Sequence, residues 1–244
     1  MVEAYYDLCI RFIPDDEASI EKFISLAKHF GFVGAGITEI ANKGSTPCRY
    51  FNSSGFDLVH GIEICEDNPS KLHSLASRYA RKVDIIIVQG GTDKLNRSAI
   101  ETADIDILSL PLGIKEGGFD HVIAKAASDR GIALEFDVGT LIRYRGGKRV
   151  HAISELEQRL MLARKFQVNM ILTSAARSIY DMRGPRELAA LASLFGMTKE
   201  EAIKSMTATP TTILKRKRRS NNYIMDGVEL IEEQNYPENQ EEFC

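Results

Sequence analysis

Short apolar runs alternate with longer amphipathic stretches along this chain. The runs are rich in β-branched residues, and some are apolar at consecutive positions, as in IIIV at 85–88. Strands of a parallel sheet that are covered on both faces have this pattern, whereas half-exposed strands alternate. The pattern predicts seven strands, at residues 5–12, 32–37, 57–65, 84–89, 106–110, 132–136 and 168–173.

Helical periodicity fills most of the gaps between these runs. Ile20, Phe23 and Ala27 fall on one face of a predicted helix that ends at Gly31. Capping signals start further helices. These signals are Asn68, Asp120 and the pair Thr198 and Glu201, and two more helices are predicted at 152–166 and 185–195.

Repeated strand-then-helix units in one domain of this length predict an α/β fold, either a barrel or an open doubly wound sheet. No GxGxxG motif follows the first strand, which argues against a dinucleotide-binding sheet. We therefore predict a TIM-like (β/α) barrel of about seven parallel strands, imperfectly closed, with the helical region 175–206 in the place of an eighth strand. The barrel domain should span residues 1–214, followed by a basic, then acidic and flexible tail at 215–244.

The net charge of −3 hides an uneven distribution. Residues 220–244 hold seven of the 34 acidic side chains and no Lys or Arg, so the first 219 residues carry 27 acidic against 31 basic side chains. This modest positive balance permits a nucleic-acid partner. No apolar run is long enough for a membrane span, no signal peptide is visible, and the four cysteines are too far apart for a zinc knuckle, so we expect a cytoplasmic protein with reduced thiols.

In a β/α barrel, function gathers on the loops that follow the carboxyl ends of the strands. A metal-dependent phosphoesterase would need several histidine and carboxylate ligands there. The chain has five histidines and no HxH pair or HExxH helix, so we predict no metal site and no catalytic residue. The alternative, an active phosphoesterase, would use Glu63, Glu66, Asp137 and His60.

Two glycines follow the predicted fourth strand. Gly90 and Gly91 could cradle a phosphate at a helix N-terminus, with Asn96 and Arg97 close by. They lack the Walker spacing, and we favour a tight turn that requires positive φ.

Two basic segments could contact a phosphate backbone. Residues 143–149 read as a flexible loop in which four cations surround Tyr144, whose ring could stack on a base. The run Lys215–Arg219 could bind RNA or favour a helix C-terminus through the dipole, and the sequence leaves both open.

Several motifs occur together over residues 5–196: YDLCIRF, GIEI, VQGGTDKLNRSAIE, DILSLP, DHVIAKAA, ALEFD, TSAAR and RGPREL. In this order and spacing they resemble the archaeal ribonuclease P protein component 3 family, related to the thirty-kilodalton eukaryotic subunit. That family is similar to PHP-type barrel phosphoesterases, in which an HxH motif ends the first strand. Cys9 and Arg11 stand at those two positions here, which agrees with the absence of a metal site.

The resemblance implies a non-catalytic subunit of the ribonucleoprotein that removes the 5′ leader from precursor tRNA. The RNA performs the cleavage with Mg²⁺, and this chain binds no cofactor. Expected partners are the ribonuclease P RNA, precursor tRNA through the complex, a small RNA-recognition-like subunit and the other ribonuclease P proteins, with no membrane. The expected RNA contacts are Arg97, Lys125, Arg177, Arg183 and Arg186, and then Lys43, Arg143 and Arg145.

Overall fold

The computed structural model describes residues 3–11, 17–41, 55–113, 118–225 and 228–229. Seven strands form one parallel sheet whose spatial order is the order along the chain. The seven predicted strands and the predicted barrel are thereby confirmed, although the first strand ends earlier than predicted. The strands are β1 Tyr5–Ile10, β2 Phe32–Ile40, β3 Asp57–Ile64, β4 Ile85–Gln89, β5 Ile107–Ser109, β6 Ala133–Asp137 and β7 Asn169–Thr173.

Helices surround the sheet, and their ends follow the capping signals. Asn68 and Asp120 each accept hydrogen bonds from two backbone N–H groups of the following turn, and Thr198 and Glu201 form the predicted capping box. The helices are α1 Glu17–His29, α2 Pro69–Tyr79, α3 Asp93–Thr102, α4 His121–Arg130, α5 Gly139–Arg143, α6 Gly146–Phe166, α7 Pro185–Ala192, α8 Lys199–Met206 and α9 Ala208–Asn222. Short 3₁₀ turns occupy Ile179–Asp181 and Ser193–Phe195, and β8 Tyr223–Met225 pairs with β9 Val228–Glu229. No helix in the described ranges is both long and apolar enough to cross a membrane.

The strands divide the apolar core into two layers. In β4, Ile86 and Val88 pack with the surrounding helices, while Ile85 and Ile87 join the smaller cluster that fills the barrel lumen. All four side chains are fully buried. This two-sided burial is the reason that the apolar run at 85–88 does not alternate.

Hydrogen bonds from side chains close the seam between β1 and β7. No backbone ladder joins these strands among the described residues. Instead the buried carboxylate of Asp7 accepts hydrogen bonds from Thr173 Oγ1 and Ser174 Oγ, both at 2.6 Å, and from Ser174 N at 3.1 Å. Burial nevertheless raises the pKa of Asp7. Helix α8 contacts both strands, so the helical region 175–206 covers the seam as predicted.

Helix α9 closes the floor of the barrel, at the amino ends of the strands. Ile213 and Leu214 pack into the lumen cluster. Arg216, Lys217 and Arg218 form ion pairs with aspartates that precede or begin β3, β4 and β5. These pairs are Arg216–Asp106 at 3.2 Å, Lys217–Asp104 at 3.5 Å, Arg218–Asp57 at 2.8 Å and Arg218–Asp84 at 3.4 Å.

The predicted domain boundary between residues 214 and 215 falls inside α9. The sequence predicts two alternative roles for the run Lys215–Arg219, RNA binding or stabilisation of a helix C-terminus. The cations at 216–218 instead form ion pairs within the molecule. They neutralise carboxylates on the barrel floor, and Lys217 is itself buried. Side chains beyond Arg218 lie outside the described residues.

Candidate nucleic-acid interface at the barrel mouth

The carboxyl ends of the strands form the mouth of the barrel. The last inward-facing residues of four strands converge there, namely Glu63, Gln89, Ser109 and Glu135. They line a cleft of about 480 Å³, together with side chains of α5 and α6. This is the end of the barrel at which a TIM-like fold carries its function.

Arg11, directly after β1, sits between the carboxylates of the mouth. Its guanidinium donates to both oxygens of Glu63, with Nε to Oε2 at 2.8 Å and Nη2 to Oε1 at 2.9 Å. Nη2 also donates to Glu135 Oε2 at 3.1 Å and to Ser109 Oγ at 3.3 Å. A carboxylate pair that would repel in isolation is thus held together by one cation.

Glu135 is the less well satisfied partner. Its side chain is 1% exposed. Burial raises its pKa, although Arg11 acts in the opposite direction. Its second oxygen, Oε1, has no hydrogen-bond partner within the described part of the chain. The Arg11 charge therefore opposes the effect of burial and favours the ionised form of Glu135.

The residues proposed for an active phosphoesterase do not assemble. His60 lies on the face of β3 opposite to Glu63, away from the lumen. Glu66 lies beyond the end of β3 and pairs with Lys71 at 3.8 Å. Asp137 reaches the mouth but pairs with Arg143 at 2.9 Å. No group of three or more His, Cys, Asp or Glu side chains is placed to hold a metal ion in the ranges that the structure describes.

Cys9 and Arg11, which stand in the place of the HxH pair, lie beside the same carboxylates. Cys9 is fully buried, and burial, together with the charge of Glu135, raises the pKa of its thiol well above the ordinary value. A neutral thiol and a guanidinium cannot replace two imidazole ligands of a metal ion. The chemistry of this mouth is that of an internal ion pair.

The glycines in the turn after β4 are required for a different reason from the one predicted. Neither Gly90 nor Gly91 has positive φ, so that part of the prediction is wrong. The buried Asn96 side chain caps the turn, accepting from Gly91 N at 2.8 Å and donating to the carbonyls of Gly91 and Gly118. A Cβ atom on Gly90 would lie 2.5 Å from Asn96 Oδ1, so this close approach requires glycine. The side chain of Asn96 therefore has a structural role in this turn.

The segment 143–149 is not the flexible loop that the sequence predicted. α5 ends at Arg143 and α6 begins at Gly146. Tyr144 packs against the main core cluster, and Arg149 Nε donates to its carbonyl at 2.9 Å. The two glycines of this segment lie in the first turn of the 21-residue helix α6. The sequence pattern predicts that this helix begins at residue 152, which is too late.

Of the predicted contacts after β6 and β7, Arg143 and Arg177 lie at the mouth, whereas Arg186 lies near Tyr5 at the amino end of β1. Arg143 Nη1 donates to Ala175 O at 3.3 Å, which joins the two segments. Arg145 and Arg186 are exposed, and Arg177 is exposed while also lining the cleft. Arg183 folds back onto its own turn, donating to Tyr180 O at 2.9 Å and Met182 O at 2.6 Å.

We call Arg177 and Arg183 the mouth arginines, because Arg177 lines the cleft and the Arg183 guanidinium is bonded to the turn that follows it. Neither they nor Arg186 form an ion pair with another described residue. The remaining predicted contacts differ in place or in pairing. Arg97 pairs with Asp120 at 3.7 Å and Lys125 with Asp129 at 2.5 Å, both on the outer helices α3 and α4. Lys43 lies outside the described residues.

Sequence reasoning missed two side chains at this end of the molecule. Arg159 of α6 lines the cleft and donates to Leu110 O at 2.6 Å and Pro111 O at 3.1 Å, and burial lowers its pKa. Tyr180 is 84% exposed on the 3₁₀ turn after β7. The sequence offered no signal for Arg159, whereas the spacing Arg177, Tyr180, Arg183 was visible.

The fold and the mouth together define a β/α barrel whose strand-end carboxylates are neutralised by an arginine from within. A model of the family described as RNase P subunit p30 matches residues 4–222. The chain belongs to this family and is a protein component of ribonuclease P, and it is not the catalytic part of that complex.

Known relatives cover nearly the whole chain. A ribonuclease P protein component 3 from Methanococcoides burtonii is 44% identical over 229 residues, covering 94% of this chain and 95% of the relative. One from Methanosarcina barkeri is 36% identical over 95% of this chain and 98% of its own length. A chain in a cryo-EM structure of archaeal ribonuclease P with mature tRNA is 27% identical, with a TM-score of 0.76 and coverage of 95% and 100%.

Proposed function

We propose that this chain binds and stabilises the catalytic RNA of ribonuclease P, and so supports removal of the 5′ leader from precursor tRNA. The observation that carries the proposal is the match, over 95% of this chain, to a subunit of an archaeal ribonuclease P that holds mature tRNA. The pairing of Arg11 with Glu63 and Glu135 supports a role without chemistry at the barrel mouth. Among the described side chains of the mouth, this pairing leaves no two free carboxylates for general acid and base catalysis.

The mouth arginines are the strongest candidates for contacts with phosphates. A guanidinium that is already paired with a carboxylate gains less from a phosphate, because the first pair must be broken. By this criterion Arg177, Arg183 and Arg186 precede Arg143, whose charge is paired with Asp137. Arg145 is a further candidate at the mouth, while Arg97, Lys125 and Lys43 would serve a second, separate contact.

The complex should contain the partners that the resemblance implies. We propose that the chain pairs with the small RNA-recognition-like subunit and assembles with the other ribonuclease P proteins in the cytoplasm. The Mg²⁺ used in cleavage would be bound by the RNA, with no cofactor held by this chain.

Reconstitution of leader cleavage tests the proposal. The catalytic RNA and the other protein subunits are assayed on precursor tRNA with and without this chain, across a range of Mg²⁺ concentrations. We expect the chain to lower the Mg²⁺ requirement or raise the cleavage rate. The double variant Arg177→Ala and Arg183→Ala should lose much of this effect.

The matched control removes two exposed cations at the other end of the barrel, Arg81 and Lys82, which follow α2. This control should behave like the unmodified chain. The proposal fails if adding the chain changes nothing, or if the isolated chain hydrolyses a generic phosphoester in a metal-dependent reaction.

A further inference from the structure

An aromatic ring stands out from the surface on the turn that follows β7. Tyr180, in the 3₁₀ turn Ile179–Asp181, is 84% exposed, the largest exposed fraction among the large apolar side chains that the structure describes. A single exposed tyrosine is ordinary on a protein surface. Its setting is what distinguishes this one.

The turn that carries the ring is tightly held. Two nearby side chains point inward, since Ile179 packs against the core and Met182 is 3% exposed. Asp181 N donates to Ser178 O at 3.0 Å, and Asp181 Oδ2 accepts from Arg177 N at 3.2 Å. The ring is therefore displayed from a fixed backbone, and binding on it would need little further ordering of the chain.

Cations flank the ring on both sides in sequence. Arg177 lies three residues before Tyr180 and Arg183 three residues after it, and neither guanidinium is in an ion pair with a described residue. Arg183 Nη1 is bonded to the carbonyl of Tyr180 itself, which places that guanidinium against the same turn. The one carboxylate within the turn, Asp181, is occupied by the backbone N–H of Arg177.

We propose that Tyr180 is a stacking platform for one unpaired nucleobase of an RNA, with Arg177 and Arg183 on the adjoining phosphates. The inference rests on the proposed function and names the contact that serves it. Proteins read RNA at single-stranded loops, bulges and ends, where a base can leave its neighbours and stack on an aromatic ring. Tyrosine and arginine are also common at protein interfaces, and it is the two guanidiniums without a carboxylate partner that favour a polyanion here.

Substitutions at residue 180 separate stacking from other uses of the ring. The full chain is titrated against the ribonuclease P RNA in the presence of the other subunits. We expect Tyr180→Ala to weaken binding by about 5- to 150-fold, because the free energy of stacking one base on an aromatic ring corresponds to a change in affinity of this size. Tyr180→Phe should bind as the unmodified chain does, and Tyr180→Leu should behave like Tyr180→Ala.

The salt dependence supplies a second readout. Tyr180→Ala should leave the slope of log K against log salt concentration unchanged, because the ring displaces no counterion. A merely structural defect would also lower the urea midpoint of the free protein, which an exposed side chain should not change.

A direct probe is available because the chain contains no tryptophan. In the Tyr180→Trp variant, the indole is the only such fluorophore, and stacking on a base should quench it when RNA is added. The matched control is Leu194→Trp, a 54% exposed position in the turn Ser193–Phe195 at the far end of α7. Its emission should not change.

The outcomes are distinct. If the unmodified chain does not bind the RNA, the proposed function itself fails. If it binds, but Tyr180→Ala binds equally well and Tyr180→Trp is not quenched, the stacking contact alone is overturned. If Tyr180→Ala instead weakens association with another protein subunit in the absence of RNA, the ring belongs to a protein interface and the proposal is wrong.

Discussion

The two ends of the barrel hold their charges in opposite ways. At the floor, cations of α9 meet aspartates at the amino ends of β3, β4 and β5, so positive charge is consumed within the molecule. At the mouth, one half-buried cation, Arg11, neutralises Glu63 and Glu135, and the mouth arginines have no ion pair with described residues. The ion pairs of α9 satisfy their cations internally, whereas the mouth arginines have positive charge to offer.

This difference shows why the density of basic residues is a poor guide to RNA contacts. The run Lys215–Arg219 is the densest cluster of cations in the sequence, yet the described part of it stabilises the barrel. Arg177, Arg183 and Arg186 are dispersed over ten residues and remain available. What decides between the two uses is the presence of a carboxylate within reach, and this depends on the fold.

The largest effect should follow removal of the cation inside the mouth. Arg11→Met leaves two buried carboxylates without their partner, and we expect it to lower the free energy of unfolding by about 3–5 kcal/mol. Urea denaturation at pH 7 measures this loss. Arg145→Ala, which removes an exposed arginine at the same end, should change the free energy of unfolding by less than about 0.5 kcal/mol.

The loss in Arg11→Met should depend on pH. Burial already raises the pKa of Glu135, and removal of Arg11 raises that pKa further. A carboxyl whose pKa is raised in the folded state stabilises the fold below its ordinary pKa, and this stability is lost as pH rises through the folded value. The variant should therefore approach the unmodified protein near pH 4 and fall furthest behind it at neutral pH. A pH-independent loss would show that Arg11 acts only through packing.

A smaller loss is expected at the floor. Asp106 is buried, accepts from Ile86 N at 2.9 Å and faces both Arg216 and Lys217. Asp106→Ala should lower the free energy of unfolding by about 2–3 kcal/mol, because Lys217 and the Ile86 N–H lose a buried partner while the half-exposed Arg216 can turn to water. Urea denaturation measures it, and Lys215→Ala, an exposed position on the same helix, is the control.

The contrast between floor and mouth would be wrong if Asp106→Ala weakened RNA binding by more than the unfolded fraction of the variant can account for. In that case the floor would take part in recognition, and its ion pairs would not be purely internal. We expect the folded fraction of the variant to bind RNA as the unmodified chain does.

The fold was largely predictable because parallel strands covered on both faces leave an unmistakable apolar run. The caps at Asn68, Asp120 and Thr198 were predictable for a similar reason, since each depends on residues within one helical turn. The helix start at Gly146 was not, because glycine at the first position gives no signal of its own.

The site was predictable in part. The strand-end rule placed Arg177 at the mouth, where it lines the cleft. The partners of Arg11 could not be derived, because Glu63 and Glu135 lie 52 and 124 residues away in the sequence. Tyr144 was expected to be the base-stacking ring; it is half-buried against the core and lines the cleft, whereas Tyr180 is displayed. Neighbouring residues do not determine how far each of two tyrosines is exposed.

The salt dependence of RNA binding tests most directly whether the mouth, and not the floor, offers its charge. Two double variants that each remove two arginines are compared, Arg177→Ala with Arg183→Ala at the mouth and Arg216→Ala with Arg218→Ala at the floor. Each pair changes the net charge equally, and binding is compared for the folded fraction of each variant, because the floor variant also loses stabilising ion pairs. We expect the mouth variant to have a shallower slope of log K against log salt concentration, by about 1–2, and the floor variant to keep the original slope. An unchanged slope for the mouth variant, or an equal change for both, would contradict this expectation.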